Sequence, residues 1–352
     1  MDYPGEWILD LPLLGQSYEQ WSRRTLALSE APARALLAAP WRAHLATLDP
    51  TGAEDETAAR EAAALFTAYL KTCRDERVSL SMLPPGRFLM PGDLEGSPAL
   101  TFAPLDVPEG GSAPRTSLWA LMARRYDAYR DVVVRPFFRE HFARLDRQIV
   151  LIDLLAALNA GPQAVQDLEA ALDDILGAFR PGANSLLSSL FRPRIDRILL
   201  AATKADHVHH GNHDRLEAIL KRIGRRAIAR AEAAGAGIDA VALASVRATR
   251  EATIARGNET LPCIVGVPQA GERIGGDVFD GETEAAVFPG DLPQDPDSVY
   301  RGGAALDGLT DGLRFVRFRP PRLVAGPDGA RLTLPHIRLD RALEFLIGDR
   351  LA

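Results

Sequence analysis

The strongest constraint on the fold of this chain is an alternation of buried-strand and helix patterns between residues 148 and 249. Residues 149–155 form an almost continuous apolar run, which is typical of a parallel strand covered on both faces. A helical pattern follows, because apolar side chains then recur every three or four residues from Val165 to Phe179. The first strand and helix therefore form the beginning of a βα repeat.

The same alternation continues along the chain. Residues 198–202 form a second apolar run, an amphipathic helix pattern extends from Leu216 to Ile228, and residues 238–243 form a third run. Strand, helix, strand, helix, strand is characteristic of a doubly wound α/β fold. The sequence therefore predicts an α/β fold with a doubly wound, mostly parallel sheet.

Two segments of different character flank this core. Residues 15–146 are predominantly helical in pattern, with a helix predicted at about 56–77, a Pro/Gly-rich loop at about 84–114 and a helix at about 117–145 kinked at Pro136. Residues 250–335 are Gly/Pro-rich and contain short strand candidates at 261–267 and 313–318. A helix is predicted to close the chain at 336–352.

Charge and composition exclude several classes of protein. The net charge of −6 argues against a nucleic-acid partner, since such proteins usually carry a basic surface. The sequence has no run resembling a signal peptide or a membrane span, which predicts a cytoplasmic location. Cys73 and Cys263 belong to no Cys/His cluster, so neither a disulfide framework nor a cysteine zinc site is expected.

The clearest functional signal follows the second predicted strand. In an open α/β sheet, ligands bind beyond the carboxyl ends of the strands, and Thr203-Lys204-Ala205-Asp206 lies there with the form [N/T]-K-x-D. In such an element the carboxylate accepts hydrogen bonds from the ring N–H and amino group of guanine, and the lysine stem covers the base. Lys204 is also one of only three lysines in the chain. The alternative is a surface turn without ligand.

Two further elements have the expected order. After the third predicted strand, Ser245 and Val246 lie in the place of a loop whose backbone N–H groups meet the base. At the start, Asp2 and Gly5 form a D-x-x-G pattern, in which the aspartate reaches Mg²⁺ and the glycine amide meets a γ-phosphate. Glu6 then occupies the position of a water-orienting catalytic residue, provided that it accepts a proton from water or that a nearby cation partly neutralises it. The alternative is that Glu6 only begins a helical segment.

Five segments together resemble the YcjX-like family of bacterial P-loop GTPase-like proteins, and they cover essentially the whole chain. They are DYPGEWILDLPLL (2–14), RQIVLIDLLAALNAG (147–161), PRIDRILLAATKADHVHH (193–210), ALASVRAT (242–249) and PHIRLDRALEFLIGDRL (335–351). The resemblance implies a Ras-like P-loop NTPase domain that binds GTP or GDP with Mg²⁺ and hydrolyses GTP as a switch. It also implies a link to envelope stress responses and a protein partner at the inner face of the membrane.

The resemblance divides the chain into five parts. Residues 1–14 would form the end of a G-domain strand with the DxxG switch element, and 15–146 a helical insertion. Residues 147–249 would form the core of the G domain, 250–335 a smaller β-containing insertion, and 336–352 the last helix of the G domain. By position, the resemblance assigns Asp2 and Gly5 to Mg²⁺ and the γ-phosphate. It assigns Lys204 and Asp206 to the base, and Ser245 with Val246 to the carbonyl side of the base.

One family motif does not occur in the sequence. A phosphate-binding P-loop requires GxxxxGK[ST], but the residues before the three lysines are Leu70, Thr203 and Leu220. We interpret the sequence as N-terminally truncated, without the first strands of the sheet, and we expect this chain to be inactive alone. The alternative function is a non-catalytic scaffold that docks a partner through the helical block.

Four histidines crowd the segment after the guanine-type element: His207, His209, His210 and His213. Imidazoles are common transition-metal ligands, which raises the possibility of a metal site. No carboxylate triad is evident around them, however, and the segment is predicted to be a loop and a first helical turn. The sequence therefore favours a structural role for these side chains.

Overall fold

The computed structural model describes residues 5–75, 78–142, 145–178, 195–256, 259–274, 276–301, 314–321 and 334–351. The chain divides into two compact units. The first unit comprises Met1–Leu145 and Asp167–Pro193, and the second comprises Asp146–Gln166 and Arg194–Ala352. Across the described residues, no helix combines the length and apolar character needed to cross a bilayer.

The first unit is helical. Its helices are α1 (Gly5–Ile8), α2 (Tyr18–Ser29), α3 (Pro32–Leu45), α4 (Glu56–Arg74), α5 (Leu118–Tyr129) and α6 (Arg135–His141). Side-chain caps fix several helix starts, since Ser17 and Gln20 form a reciprocal capping box and Asp55 accepts the amides of the first turn of α4. The helix predicted at 56–77 is therefore present and ends three residues earlier, at Arg74.

Aromatic side chains fill the core of this unit. Trp21 stacks on Tyr126 with ring centroids 5.1 Å apart, and Trp41 stacks on Tyr69 at 5.3 Å. Phe66 contacts both tryptophans, and all five rings are buried. Burial of such large apolar surfaces dominates the stability of helical packings, so these rings connect α2, α3, α4 and α5 into one core.

The irregularity predicted at Pro136 occurs one turn earlier. A π-helical turn at Arg130–Val134 separates α5 from α6, and Pro136 lies in the first turn of α6. A proline ring collides with the carbonyl of the residue four positions earlier in a continuous α-helix. The wider π turn absorbs this conflict, because it changes the hydrogen-bonding register before the proline is reached.

A buried carboxyl group lies in the first unit. Asp10 is 2% exposed and accepts hydrogen bonds from the Tyr129 hydroxyl at 2.5 Å and from the Gly86 amide at 2.7 Å. Burial raises the pKa of Asp10 to about 7, although these hydrogen bonds and the charge of Arg87 act in the opposite direction. The folded state therefore favours the protonated carboxyl.

This shift predicts a pH-dependent stability for the first unit. Because the folded pKa of Asp10 is about 7 and its ordinary value is 3.8, the folded state binds more protons between these values. The stabilisation is fully present below the ordinary pKa and is lost as the pH rises through about 7. We expect urea denaturation to show a steeper loss of stability between about pH 4 and 7 in the native chain than in Asp10→Asn.

The measurement can be confined to this unit, because all four tryptophans lie in it: Trp7, Trp21, Trp41 and Trp119. Their fluorescence therefore reports its unfolding. Asparagine preserves an acceptor for the Gly86 amide, and its amino group can donate to the Tyr129 hydroxyl oxygen in place of the present bond. The substitution thus removes the titration of Asp10 and keeps a hydrogen bond to each neighbour. Parallel pH profiles for the two proteins would show that Asp10 does not govern this dependence.

The second unit contains a parallel sheet of three strands. These are β1 (Arg147–Ile152), β2 (Arg197–Ala202) and β3 (Gly237–Ala242), in the order β1-β2-β3. The mixed α/β architecture with a parallel sheet is therefore confirmed. β1 is an outer strand of this sheet among the described residues, and its Leu151 side chain is 63% exposed.

Helices alternate with these strands along the chain, and the last three of them pack onto the sheet. These helices are α7 (Leu154–Ala160), α8 (Pro162–Ala178, which continues into the first unit), α9 (His213–Ile223), α10 (Arg225–Ala233) and α11 (Leu339–Leu351). Leu199 of β2 and Val241 of β3 share a buried cluster with Ala342 of α11. The predicted closing helix therefore contributes directly to the core of the sheet.

Two predicted element boundaries were wrong. The strand predicted at 149–155 ends at Ile152, because the Asp153 side chain accepts the Ala156 amide and starts α7 with Leu154. The single helix predicted from Leu216 to Ile228 is two helices that meet at Gly224. A side chain at Gly224 would lie 3.0 Å from a Leu200 methyl group, so glycine permits the close approach of this helix junction to β2.

The region after β3 forms small antiparallel sheets. β4 (Arg250–Arg256), β5 (Glu259–Gly266) and β8 (Ala285–Val287) pair in the order β4-β5-β8, and β6 (Arg273–Ile274) pairs with β7 (Asp277–Val278). The strand predicted at 261–267 falls within β5 except for Val267, which lies beyond its end, whereas β4 was not predicted. The prediction of a strand at 313–318 was wrong for residues 314–318, which form only an isolated bridge, between Phe318 and Pro268. Leu313 lies outside the described residues.

Candidate functional site

The carboxyl ends of the three parallel strands meet at one edge of the sheet. Ile152, Ala202 and Ala242 are aligned across β1, β2 and β3. The loops that follow are joined by backbone hydrogen bonds, since the Thr203 amide donates to Ile152 at 2.9 Å and the Leu243 amide donates to Ala202 at 2.8 Å. The segments that follow β2 and β3 thus begin side by side.

Lys204 has an unusual backbone conformation at this edge. Its φ of 61° and ψ of 33° place it in the left-handed region, which costs a non-glycine residue of the order of 1 kcal/mol. Its Nζ atom lies 2.6 Å from Oδ2 of Asp153, and the two side chains are about 40% exposed. Lys204 is therefore held over the end of β1 by a partly solvated ion pair.

Asp206 lies deeper in the same loop and is 4% exposed. Its Oδ2 atom accepts the Ala248 amide at 2.8 Å, and its carbonyl oxygen accepts the Thr249 hydroxyl. Among the described residues, no donor forms a hydrogen bond with Oδ1. One carboxylate oxygen thus fixes the loop after β2 to the loop after β3, and the other retains its capacity to accept.

Ser245 and Val246 occupy the loop after β3 and are exposed. Two anchors flank them, because Ala244 forms a bridge with Ile337 and the Arg247 amide is held by a backbone carbonyl at 2.7 Å. The Ser245 and Val246 amides make no hydrogen bond within the described part of the chain. The loop therefore presents two backbone donors near the segment that contacts Asp206.

Two of the clustered histidines support this loop from inside the unit. The His207 ring contacts Phe318 edge-on at 5.2 Å, and Nε2 of His213 lies 2.9 Å from the Ala205 carbonyl oxygen. Burial lowers the pKa of both rings, so the neutral forms are favoured in the folded state. The structural role that the sequence favours fits these two side chains.

The predicted phosphate and water residues belong to the first unit. Asp2 lies outside the described residues. Gly5 begins α1, and open space surrounds the position where its side chain would be. The Glu6 carboxylate forms an ion pair with Arg74, the last residue of α4. A cation therefore partly neutralises Glu6, which meets one of the two conditions for a water-orienting role.

Sequence reasoning missed three residues of this edge. Asp153 pairs with Lys204, and Ala248 and Thr249 hold Asp206. Asp153 could have been found, because a polar residue directly after a buried parallel strand lies at the ligand-binding edge. The contacts of Ala248 and Thr249 depend on a backbone amide and on loop geometry, which a local pattern does not specify.

The edge can recognise a flat heterocycle that carries both donors and acceptors. A buried carboxylate with a remaining acceptor site, two exposed backbone amides and a lysine stem lie on adjacent loops of one sheet edge. Such sparse but directed polar groups determine ligand orientation and specificity in binding sites. They also define which hydrogen-bonding pattern a ligand must present.

Comparison with known proteins gives consistent matches over the full length of the chain. The family model described as "YcjX-like family, DUF463" matches residues 1–351. The protein of Escherichia coli K12 named "Ras-like GTPase YcjX" is 39% identical over 357 residues, covering 100% of this chain and 72% of that protein. A protein of Shewanella oneidensis with the same name is 31% identical over 364 residues, covering 100% of this chain and 70% of that protein.

Proposed function

Because the chain belongs to the YcjX-like family, we propose that it is a Ras-like guanine-nucleotide-binding protein whose base site lies at the carboxyl edge of the parallel sheet. The observation that carries the proposal is the placement of Asp206. Its carboxylate is buried, directed by the Ala248 amide and located after the central strand of the sheet. Ligands of open α/β sheets bind at this position.

Guanine fits the acceptor that Asp206 provides. The ring N–H and the 2-amino group of guanine both point to one side and can donate to one carboxylate. A carboxylate oxygen has two lone pairs, so the bond from Ala248 to Oδ2 leaves capacity on both oxygens. Adenine presents a ring acceptor at that position, and it would therefore leave a buried carboxylate unpaired.

The neighbouring residues complete the proposed base site. Thr203 fixes the start of the loop through its hydrogen bonds to the Ile152 carbonyl oxygen. The exposed stem of Lys204 would cover one face of the base, while Asp153 holds its ammonium group. The amides of Ser245 and Val246 would donate to the carbonyl oxygen of guanine. Each group therefore has a separate part in recognition.

We extend the proposal to GTP hydrolysis with Mg²⁺, on the strength of the resemblance and of the names of the relatives. Asp2 and Gly5 would serve the Mg²⁺ ion and the γ-phosphate, and Glu6 would orient water with Arg74 as its neutralising partner. The predicted link to stress responses rests on the family resemblance alone.

The proposal predicts weak but selective binding by this 352-residue chain. The sequence has no GxxxxGK[ST], and the backbone amides and lysine of such a loop supply much of the phosphate affinity of P-loop proteins. We expect GDP to bind in the micromolar to millimolar range and more tightly than ADP. Heteronuclear NMR titrations with both nucleotides, each with Mg²⁺, would measure the two affinities.

The same titrations separate the two parts of this prediction. Submicromolar affinity for GDP or GTP would contradict the expectation of weak phosphate binding. Equal affinities for GDP and ADP would contradict the assignment of Asp206 to the base. Guanosine and adenosine serve as controls, because the preference should remain when the phosphates are absent.

A further inference from the structure

Three side chains with metal-ligand chemistry meet on the surface of the second unit. His209 and His210 lie in the loop between β2 and α9, and Glu251 comes from β4. Nδ1 of His210 is 2.6 Å from Oε2 of Glu251, and Nε2 of His209 is 3.7 Å from the same oxygen. The three potential ligand atoms all lie within 4.8 Å of one another.

Contacts with neighbouring groups fix the orientation of the Glu251 carboxylate. Its Oε1 atom accepts the His210 amide at 3.0 Å and lies 3.6 Å from the Arg247 guanidinium. Arg247 is itself held by the Thr249 carbonyl oxygen at 3.0 Å. One carboxylate oxygen is thus engaged by the backbone and by a cation, and the other is directed at both imidazoles. Such outer contacts fix a ligand before a metal arrives.

We propose that His209, His210 and Glu251 form a binding site for a divalent transition-metal ion, with Zn²⁺ as the best match. Two imidazoles and one carboxylate are a common zinc donor set, and it leaves a fourth position for water or another ligand. Tetrahedral zinc with bonds of 2.0–2.1 Å holds its ligand atoms roughly 3.3 Å apart. The distances of 2.6 and 3.7 Å to Oε2 bracket that separation.

Binding requires small rearrangements of protons and rings. In the neutral cluster, His210 donates from Nδ1 to Glu251, so metal binding at Nδ1 moves that proton to the exposed Nε2. Nδ1 of His209 accepts the Gly211 amide at 3.3 Å, and metal binding at Nε2 moves the His209 proton to Nδ1. The long contact to Gly211 is lost, which is a small cost for a bond of that length.

The third ligand of this cluster could not be found from the histidine-rich segment alone. The carboxylate of this cluster is not encoded in the histidine-rich segment, because Glu251 lies 41 residues after His210. Glu251 reaches the loop only because β4 follows β3 and returns to the same edge of the unit. A bound ion would therefore tie the loop that follows Asp206 to β4, which extends the clamp that Ala248 and Thr249 already form.

The test is a metal titration of the nucleotide-free chain. We expect isothermal titration calorimetry with Zn²⁺ to give one site per chain, and Co²⁺ to give the visible absorption of a tetrahedral N/O site. His210→Ala and Glu251→Gln should each weaken binding by at least roughly tenfold. Glu251→Gln retains an acceptor for the His210 amide, so the loop should keep its fold.

His44→Ala is the matched control. His44 also faces a carboxylate, Glu61, at 3.8 Å, but its cluster holds no second imidazole within the described residues. This variant should bind Zn²⁺ with native affinity and stoichiometry. The proposal is overturned by the absence of a one-to-one site in the native chain. It is equally overturned if both cluster variants keep the native affinity, because the metal would then bind elsewhere.

Discussion

Asp206→Asn is expected to change the base preference of this chain from guanine to xanthine. Xanthine carries a carbonyl oxygen where guanine carries its 2-amino group. An aspartate accepts from the ring N–H and the amino group of guanine, whereas an asparagine amide can donate to the xanthine carbonyl. Aspartate with xanthine and asparagine with guanine would each leave one buried donor or acceptor mismatched. We therefore expect the ratio of the dissociation constants of xanthosine diphosphate (XDP) and GDP to change by about 100-fold.

The substitution should preserve the loop. Oδ2 of Asp206 accepts the Ala248 amide, and the amide oxygen of asparagine can take the same position. The new amino group then occupies the place of Oδ1, which makes no hydrogen bond with the described residues. NMR titrations of the native chain and the variant with GDP, XDP and ADP would measure the change in preference.

Asp214→Asn is a control that changes the net charge by the same amount as Asp206→Asn. Asp214 lies in the first turn of α9, its side chain is 88% exposed, and it pairs with Arg338 at 2.7 Å. This variant should keep the native preference for guanine. If Asp206→Asn also keeps the native ratio of XDP and GDP affinities, Asp206 does not contact the base. The gain of xanthine binding matters most, because loss of folding cannot produce it.

The parts that sequence predicted well share a physical origin. A strand buried on both faces must be apolar along its whole length, so β2 is visible as a local run. β1 has a similar apolar run, although its Leu151 side chain is exposed. Thr203-Lys204-Ala205-Asp206 is likewise one short segment, and the structure places it directly after β2. A strand or motif whose sequence pattern and physical requirement both lie within a few neighbouring residues can therefore be predicted from the sequence.

The parts that sequence missed depend on distant residues. The pairing of Lys204 with Asp153 joins residues 51 positions apart, and Glu251 reaches His210 across 41 positions. Asp10 has a raised pKa only because the folded unit buries it, in contact with Tyr129 and Gly86. No local pattern encodes such contacts, since they follow from how helices and loops return to one another.

Asp167→Ala is expected to destabilise the first unit by about 3–5 kcal/mol, because it breaks a buried ion pair and leaves one charge without its partner. Asp167 of α8 and Arg34 of α3 are 8% and 3% exposed, and their side chains approach to 2.5 Å. Oδ2 of Asp167 also accepts the Ser81 amide at 2.6 Å and the Met82 amide at 2.8 Å. The substitution therefore removes three hydrogen bonds at once.

The guanidinium of Arg34 would keep only neutral partners. Its remaining hydrogen bonds go to the Met82 carbonyl oxygen at 2.9 Å, the Tyr69 hydroxyl at 3.2 Å and the Cys73 sulfur at 3.9 Å. A buried cation without a counter-ion is costly, so Arg34→Met in the Asp167→Ala background should recover part of the lost stability. The recovery should stay incomplete, because the Ser81 and Met82 amides still lack their acceptor.

Tryptophan fluorescence during urea denaturation follows this unit alone, because all four tryptophans belong to it. Arg24→Met is the matched control, since Arg24 of α2 pairs with Asp174 of α8 with side chains that are 40% and 23% exposed. Solvent screens such a pair, and its loss should cost no more than about 1 kcal/mol. If Asp167→Ala costs as little as Arg24→Met, the buried pair is not a main support of the helical core. A large cost confined to Asp167→Ala, with partial recovery in the double variant, would assign α8 its role: it holds α3 and the segment at Ser81 and Met82 together through one carboxylate.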